Sequence, residues 1–420
     1  MKVEEKTAIV LSGGGAKGAY EIGVWKALKK LKIKYDIVTG TSVGALNGAF
    51  MVQKDYMKAV KMWQNINFDM IFKDGFEGDI NTFAGIKDLI AMYGKGILNG
   101  GMDVSKLEET INNYINVNKF YKSKIDYGLV TVNLSNLKPI SLTKDNIKED
   151  LLKDYLMASA TCFPAFKLKK IDNKNYIDGG YYDNLPISLA VKMGATKIIA
   201  IDIGSKSRKA KKITTDVPIT YIKPKNDIGS FLVFDSSLAT RNIKLGFNDT
   251  MKEYGKYDGD KLTFKKGTTN KLINDALPMI KDLLETLVKI NKNNKLLVKE
   301  EKQINKYKDM LLNDDKLKEN IIEAIDTLGI ALEINETVVY TKSSYYKAIK
   351  DSYTKIGNID FDELVTLFEK KDFYKLLDSK IIIKYGYQVL MRNWDKRFLT
   401  MMLLANKEFF ACLYLMTILK

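Results

Sequence analysis

One serine of this chain stands in the sequence setting of a nucleophile. Ser42 is the centre of a Gly-Thr-Ser-Val-Gly pentapeptide at residues 40–44, which has the Gly-x-Ser-x-Gly form of a nucleophile elbow. Serine hydrolases built on this elbow normally use a histidine to accept the serine proton, but this chain contains no histidine. Either Ser42 is not a nucleophile, therefore, or a different group acts as its base.

A glycine-rich sequence precedes this serine. Residues 12–18 read Ser-Gly-Gly-Gly-Ala-Lys-Gly, and consecutive glycines let backbone N–H groups point into one concavity that suits an oxyanion or a phosphate. Gly13, Gly15 and Gly18 also satisfy the G-x-G-x-x-G pattern of dinucleotide-binding folds. The second predicted strand, however, ends in Thr-Gly-Thr-Ser and not in the acidic residue that holds a ribose. A dinucleotide site at Gly13–Gly18 is thus the weaker alternative.

The sequence offers Asp178 as the base. Asp178 follows a short apolar approach and precedes Gly179 and Gly180, so that the backbone can bend sharply and bring the carboxylate close to another loop. An Asp-Gly turn is common in proteins of every kind. The catalytic interpretation therefore depends on the combination of Asp178 with the two earlier motifs.

Together, in this order, the three motifs resemble the signature of the patatin-like phospholipase family, as found in bacterial-type patatin-like proteins. That signature is a Gly-Gly-Gly-x-(Arg/Lys)-Gly loop, a Gly-x-Ser-x-Gly nucleophile and an Asp-Gly-(Gly/Ala) motif, which residues 13–18, 40–44 and 178–180 supply here. Residues 158–164 also resemble the family's Ala-Ser-x-Ala-x-Pro stretch, with Cys-Phe before the proline as a slight departure. The resemblance covers roughly residues 5–205.

The resemblance implies a lipid acyl hydrolase of phospholipase A type that works without histidine. In this family a Ser-Asp dyad replaces the triad, so Ser42 would be the nucleophile and Asp178 its general base. Backbone N–H groups of the glycine loop would bind the oxyanion, with a lysine nearby; these residues are Gly13, Gly14, Gly15 and Lys17. The substrate would be a phospholipid or another acyl lipid, and no metal or organic cofactor is required. A catalytically silent protein of the same fold, acting at membranes, is the main alternative.

The apolar patterns predict an α/β fold. Short apolar runs at residues 7–11, 35–38, 127–132 and 197–203 indicate strands, and helical spacing follows at residues 19–31, 43–53 and 186–193. This alternation predicts a mostly parallel, helix-covered sheet, and the resemblance implies a three-layer α/β/α arrangement with that sheet at its centre.

A mainly α-helical C-terminal region is expected to follow. We predict a catalytic domain at 5–205, a region at 206–270 that connects to it or completes it, and a helical domain of unknown role at 271–420. The segment Phe398–Leu419 is the most apolar of the chain, but Asn406-Lys407-Glu408 near its middle disfavours a membrane span. We expect a buried helix there, with a membrane-surface or partner-binding helix as the alternative.

The charge and cysteine content restrict the partners and the compartment. The net charge of +16 lies mostly in the second half and includes the basic cluster at residues 206–212, which is either an exposed loop or a contact for an anionic membrane. Only four of the basic residues are arginine and there is no nucleic-acid-binding motif, so we expect no nucleic acid partner.

The start of the chain lacks a secretory apolar region, and the two cysteines fit no disulfide or metal spacing. We therefore expect a cytoplasmic protein, with peripheral membrane contact as a further expectation; the oligomeric state does not follow from the sequence.

Overall fold

The chain divides into two compact units. A computed structural model describes residues 5–204, 214–290, 298–357, 379–392 and 406–419. The first unit is Met1–Glu253 and the second is Tyr254–Lys420. The basic cluster at residues 206–212 lies outside the described residues.

A mostly parallel eight-stranded sheet forms the centre of the first unit. Its strands are β1 (Thr7–Leu11), β2 (Ile37–Thr41), β3 (Asp126–Asn133), β4 (Lys138–Thr143), β5 (Lys169–Ile171), β6 (Lys174–Asp178), β7 (Lys197–Ile201) and β8 (Ile219–Ile222). They lie in the order β5-β6-β3-β2-β1-β7-β8, and β4 pairs with β3 outside this path. Neighbouring strands in the part of the sheet β3-β2-β1-β7-β8 are parallel to each other. The pairs β3–β4, β3–β6 and β5–β6 are antiparallel.

Helices cover both faces of this sheet, which confirms the predicted three-layer α/β/α class. They are α1 (Ala19–Lys30), α2 (Val43–Val52), α3 (Tyr56–Gln64), α4 (Phe83–Leu98), α5 (Ser105–Tyr114), α6 (Val117–Lys122), α7 (Leu152–Ser159), α8 (Ile187–Lys192) and α9 (Ser236–Glu253). The central strands β1, β2 and β7 are buried along nearly their whole length, because a parallel sheet with both faces covered needs continuous apolar strands. The first unit extends to α9, so β8 and α9 belong to it although both lie in the stretch 206–270.

The second unit is mainly helical. Its helices are α10 (Thr268–Ile290), α11 (Val298–Leu311), α12 (Asp314–Ala331), α13 (Lys342–Lys355), α14 (Ser379–Arg392) and α15 (Asn406–Leu419). A small sheet joins them, with β9 (Tyr257–Asp258), β10 (Thr263–Lys265) and β11 (Val339–Tyr340) in the order β11-β10-β9. The helical C-terminal region that the sequence predicts is thus present.

Helix α15 is the described part of the apolar segment at residues 398–419; residues 398–405 lie outside the described residues. Eight consecutive residues of α15, from Phe409 to Met416, are buried, as expected of a helix that is apolar on all sides and lies in a core. The polar residue at the start of α15 ties this helix to α11. Asn406 Oδ1 accepts hydrogen bonds from Gln303 Nε2 at 2.8 Å and from the Tyr307 hydroxyl at 3.0 Å. Among the described residues, no helix combines the length and the apolar character that crossing a membrane requires.

Candidate active site

Ser42 lies in a sharp turn between β2 and α2. Its backbone angles are φ 55° and ψ −128°, a conformation that non-glycine residues rarely adopt and that often marks a functional site. The turn brings main chains very close together: a Cβ on Gly44 would lie 2.5 Å from the Leu11 carbonyl oxygen, and one on Gly40 would lie 2.3 Å from that of Gly44. Neither position has room for a side chain, so both glycines of the pentapeptide are required. The turn holds Ser42 at the N-terminus of α2.

The pairing of β3 explains how Asp178 comes to this turn from a distant part of the sequence. On β3, Val130 pairs with Thr41 and the next residue, Thr131, pairs with Asp178. The other edge of β3 is occupied by β4 along both positions, so β2 and β6 share one edge and β6 continues the ladder where β2 ends. Asp178 thus takes the sheet position directly beyond Thr41, and the chain at Thr41 turns into Ser42.

Local hydrogen bonds fix the orientation of Asp178. Its N–H donates to the Thr161 carbonyl oxygen at 2.8 Å, and its Oδ1 accepts the Gly180 N–H at 2.6 Å. Only 7% of the residue is exposed, so little water reaches the carboxylate. A carboxylate that is held in place and poorly hydrated is suited to accept a proton from a neighbouring hydroxyl.

The glycine loop leaves β1 beside Ser42 and is tied down at both of its ends. The Gly13 N–H donates to the Asn184 carbonyl oxygen at 3.0 Å, and the Ala16 N–H donates to the Phe231 carbonyl oxygen at 2.9 Å. Between these two anchors, the N–H groups of Gly14 and Gly15 have no hydrogen-bond partner in the part of the chain that the structure describes. They are thus the two amides of the loop that can take an anion.

Gly15 meets two backbone requirements that no other residue type satisfies. Its φ is +55°, and a Cβ there would lie 2.1 Å from the Phe231 carbonyl oxygen. A side chain would have to displace the segment that accepts the Ala16 N–H. The position of this glycine therefore fixes the course of the whole loop.

The candidate residues line a single cavity of about 190 Å³ within the first unit. Ser42, Asp178, Lys17 and the three loop glycines all border it, as does Asn184. Most of the remaining wall is apolar and comes largely from α2, α3 and α5; it includes Leu46, Phe50, Trp63, Ile71, Leu107 and Ile111. The arrangement places a hydroxyl, a carboxylate and two unpaired amides at the boundary of a space suited to a hydrocarbon chain.

A buried polar network supports the wall beside the glycine loop. Asn47 donates from Nδ2 to the Gly18 carbonyl oxygen at 2.9 Å and to Glu21 Oε2 at 2.7 Å, and its Oδ1 accepts the Trp63 indole N–H at 3.0 Å. Burial raises the pKa of the Glu21 carboxyl well above its usual range, although the hydrogen bond from Asn47 opposes the shift. The network links α1, α2 and α3 behind the loop.

Three residues of this site were not among those selected from the sequence. Ser159 accepts the Ser42 N–H, Asn184 pairs with Gly13, and Phe231 accepts the Ala16 N–H. Ser159 had a signal, because it is the serine of the Ala-Ser-x-Ala stretch. Asn184 and Phe231 act largely through their carbonyl oxygens, which sequence patterns do not reveal.

The N-terminal half of the chain is similar in sequence to known proteins. Residues 9–191 match the family model described as patatin-like phospholipase. Patatin-like phospholipase domain-containing protein 7 of Mus musculus is 28% identical over 203 residues, and a putative patatin-like phospholipase domain-containing protein of Caenorhabditis elegans, M110.7, is 27% identical over 196 residues; each match covers 47% of this chain. Lysophospholipase NTE1 of Scheffersomyces stipitis is 26% identical over 219 residues, or 48% of this chain.

These matches are confined to one part of much longer relatives. They cover 14%, 16% and 12% of the mouse, nematode and yeast proteins, respectively. A solved structure, that of VipD from Legionella pneumophila, aligns over 97% of this chain and 92% of its own with 14% identity and a TM-score of 0.37, a likeness too weak to carry an argument. The matched segment contains all three motifs and the strands β2, β3 and β6 that lead to Ser42 and Asp178. Residues 9–191 of this chain accordingly match the patatin-like phospholipase family.

Proposed function

We propose that this chain is a lipid acyl hydrolase that cleaves ester-linked acyl chains with Ser42 and Asp178. The observation that carries the proposal is the convergence in one apolar cavity of Ser42, Asp178 and the unpaired amides of Gly14 and Gly15. Membership of the matched segment in a family described as phospholipases agrees with this chemistry.

The first half of the reaction acylates the enzyme. Asp178 accepts the hydroxyl proton as Ser42 Oγ attacks the ester carbonyl carbon, and the carbonyl oxygen becomes an oxyanion. The N–H groups of Gly14 and Gly15, aided by the positive end of α2, stabilise that charge. The tetrahedral intermediate then collapses, the C–O bond to the alcohol breaks, and the alcohol leaves with the proton from Asp178.

The second half releases the acyl chain. Asp178, ionised again, accepts a proton from a water molecule that attacks the acyl-enzyme carbonyl. The same amides stabilise the second oxyanion, which collapses to a fatty acid and Ser42, whose oxygen regains the proton from Asp178. Each cycle consumes one ester and one water, and no cofactor takes part.

In this proposal Gly13 positions the loop and does not bind the oxyanion, because its N–H is already donated to Asn184. Lys17 borders the same cavity and adds positive charge near the oxyanion. The apolar wall selects acyl lipids, and the names of the relatives favour a phospholipid or lysophospholipid as the substrate. Action in the cytoplasm at a membrane surface remains a prediction.

Dinucleotide binding has less support. A phosphate needs several free amides, and the loop has already committed those of Gly13 and Ala16. The strand β2 leads into Ser42 and supplies no acidic residue at its end. The other alternative is a catalytically silent protein of the same fold that acts at membranes. Such a protein would have the same structure as the enzyme, so only an activity measurement separates the two.

The experiment compares Ser42→Ala and Asp178→Asn with two controls that change the same residue types at exposed positions, Ser141→Ala and Asp172→Asn. Hydrolysis is measured on a soluble short-chain ester and on phospholipid vesicles. We expect each site variant to lose at least about 10³-fold in kcat/KM while both controls keep wild-type rates. Full activity in either folded site variant would falsify the dyad, and a wild type inactive on all ester classes would establish the silent alternative.

A further inference from the structure

Helix α4 presents apolar side chains to solvent. Five of its residues, which we call the α4 stripe, are largely exposed: Phe83 (86%), Ile86 (46%), Ile90 (67%), Ile97 (44%) and Leu98 (88%). At 3.6 residues per turn they fall within an arc of about 120° on one side of the helix. Exposed apolar residues clustered in this way mark a surface that binds something.

The neighbouring side of α4, centred about 120° around the helix from the stripe, is already packed against the first unit. Gly85, Leu89 and Tyr93 are buried there, so the stripe is not the face that holds the helix to the fold. The apolar surface of α4 is wider than the area that the fold covers. The uncovered half is available for a ligand or a partner.

Helix α4 is connected directly to the wall of the active-site cavity. The Tyr93 hydroxyl donates to the Leu232 carbonyl oxygen at 2.8 Å, and Leu232 borders the cavity. The preceding residue, Phe231, also borders it, is 46% exposed, and accepts the Ala16 N–H of the glycine loop. One dipeptide thus joins the helix to the proposed oxyanion loop at an exposed part of the cavity wall.

The size of the stripe argues against a second copy of the chain. A stable protein interface uses about 20–30 residues on each side, whereas the stripe consists of five side chains on a single helix of 16 residues. A lipid surface has no such requirement, because apolar side chains insert into it individually.

The charge within the stripe also favours lipid. Lys87 is the one charged residue in this arc of α4, and it is exposed. Its long apolar stem can lie along the stripe while its ammonium group reaches the phosphate level. No carboxylate of α4 shares the arc, so nothing in the stripe opposes a phosphate.

We propose that the α4 stripe docks the protein on a phospholipid surface, with the helix lying in the plane of the interface. The choice of lipid as the occupant rests on the proposed function. Docking brings the wall residues Phe231 and Leu232 close to the lipid from which the acyl chain is drawn. Since apolar burial provides most of the attraction, binding needs only zwitterionic lipid and changes little with salt.

The experiment measures binding of the full chain to phosphatidylcholine vesicles by flotation. The Ser42→Ala background prevents hydrolysis, so binding is measured whether or not the proposed activity exists. Ile90→Asp and the double change Phe83→Ser with Leu98→Ser remove parts of the stripe, and Ile90→Trp enlarges it. Leu137→Ser is the control, because Leu137 is 72% exposed in the β3–β4 turn.

We expect the first two variants to bind about 10- to 100-fold more weakly, Ile90→Trp to bind more tightly, and the control to bind like the parent. With Ser42 intact, hydrolysis of vesicles should fall in the same order while a soluble short-chain ester is cleaved at an unchanged rate. Failure to float with vesicles, or equal binding by Ile90→Asp, would overturn the proposal. A dimer in solution that Ile90→Asp converts to a monomer would assign the stripe to a second copy instead. Loss of binding in a chain with no esterase activity would leave docking established and refute only the proposed function.

Discussion

The main-chain N–H of Ser42 donates to the side-chain oxygen of Ser159 at 2.9 Å, and the Ser159 hydroxyl donates in turn to the Val130 carbonyl oxygen at 2.7 Å. Ser159, at the end of α7, therefore bridges the strained turn to β3 at the point where the ladder with β2 ends. It provides a partner for two buried backbone groups at once. The unusual conformation of Ser42 is held in part by this side chain.

The bridge predicts the effect of Ser159→Ala. Two buried backbone groups would lose this partner, and a buried group that is left unsatisfied costs about 1–3 kcal/mol. We expect a decrease of that size in the free energy of unfolding, measured in urea, and a lower kcat because the turn relaxes. Ser141→Ala is the matched control, since Ser141 pairs with the same Val130 from β4 but is exposed. Equal stability of the two variants would contradict the role given to Ser159.

The glycine loop predicts the effect of Gly15→Ala. Alanine at a positive φ costs about 1–2 kcal/mol, and here the new Cβ would also collide with the Phe231 carbonyl oxygen. Gly194→Ala is the control that separates the backbone strain from the collision. Gly194 also has a positive φ, +92°, but it has open space around it, so alanine there is strained without a collision. We expect both variants to be destabilised and only Gly15→Ala to lose at least about 10²-fold in kcat, as removal of an oxyanion donor does. Ester hydrolysis and thermal unfolding together test this, and comparable rates in the two variants would refute it.

Buried Glu21 predicts a dependence of stability on pH. Because its pKa is raised well above the usual range, the folded state keeps a proton that the unfolded chain loses above about pH 4.3. The free energy of unfolding therefore falls as the pH rises from there toward the raised pKa, by at most about 1.4 kcal/mol per pH unit. Glu21→Gln removes this loss, so its stability relative to the wild type should increase from pH 4 to pH 7.

Urea titrations at several pH values measure this difference. Glu77→Gln, at an exposed position, is the control and should follow the wild type. Parallel curves for wild type and Glu21→Gln would mean that Glu21 is ionised in the folded protein.

The cavity predicts a limit on acyl length. Phe50 lies eight residues beyond Ser42, or about 12 Å along α2, and its ring packs edge-on against Tyr114 with 6.1 Å between centroids. Ile111 lies one turn before Tyr114 and borders the same cavity. Ile111→Phe should fill the far end and lower kcat/KM for a long-chain ester about 10-fold, while a four-carbon ester is unaffected. An equal change for both esters would mean that the chain does not enter this space.

The sequence was sufficient for the parts of the structure that depend on local pattern. The run Thr7–Leu11 is β1, and helical spacing from residue 19 gave α1 to within one residue. Parallel strands buried on both faces and helices with an apolar side carry strong periodicity. The second strand was less well placed: β2 begins at Ile37 and extends through Thr41, because pairing with β1 and β3 and not residue type sets its end.

Long-range pairing was beyond the sequence. Strands β4, β5 and β6 are antiparallel and partly exposed, so their patterns are weak, yet β6 is the strand that places Asp178. The use of the Gly13 N–H by Asn184 was equally hidden, since a carbonyl oxygen belongs to every residue type. The stripe of α4 is visible in the sequence as apolar residues, but only the structure shows which of them the fold leaves exposed.

The joint use of β3 has a consequence for how this domain can change over time. Thr41, which precedes Ser42, and Asp178 pair with successive residues of one strand. The backbone frame that places Ser42 and Asp178 therefore does not depend on the length of the chain between them. That intervening chain carries α3, α4 and α5 and thus most of the apolar cavity wall and the exposed stripe. Insertions, deletions and exchanges in these elements can alter the cavity wall and the stripe without altering the frame that places Ser42 and Asp178.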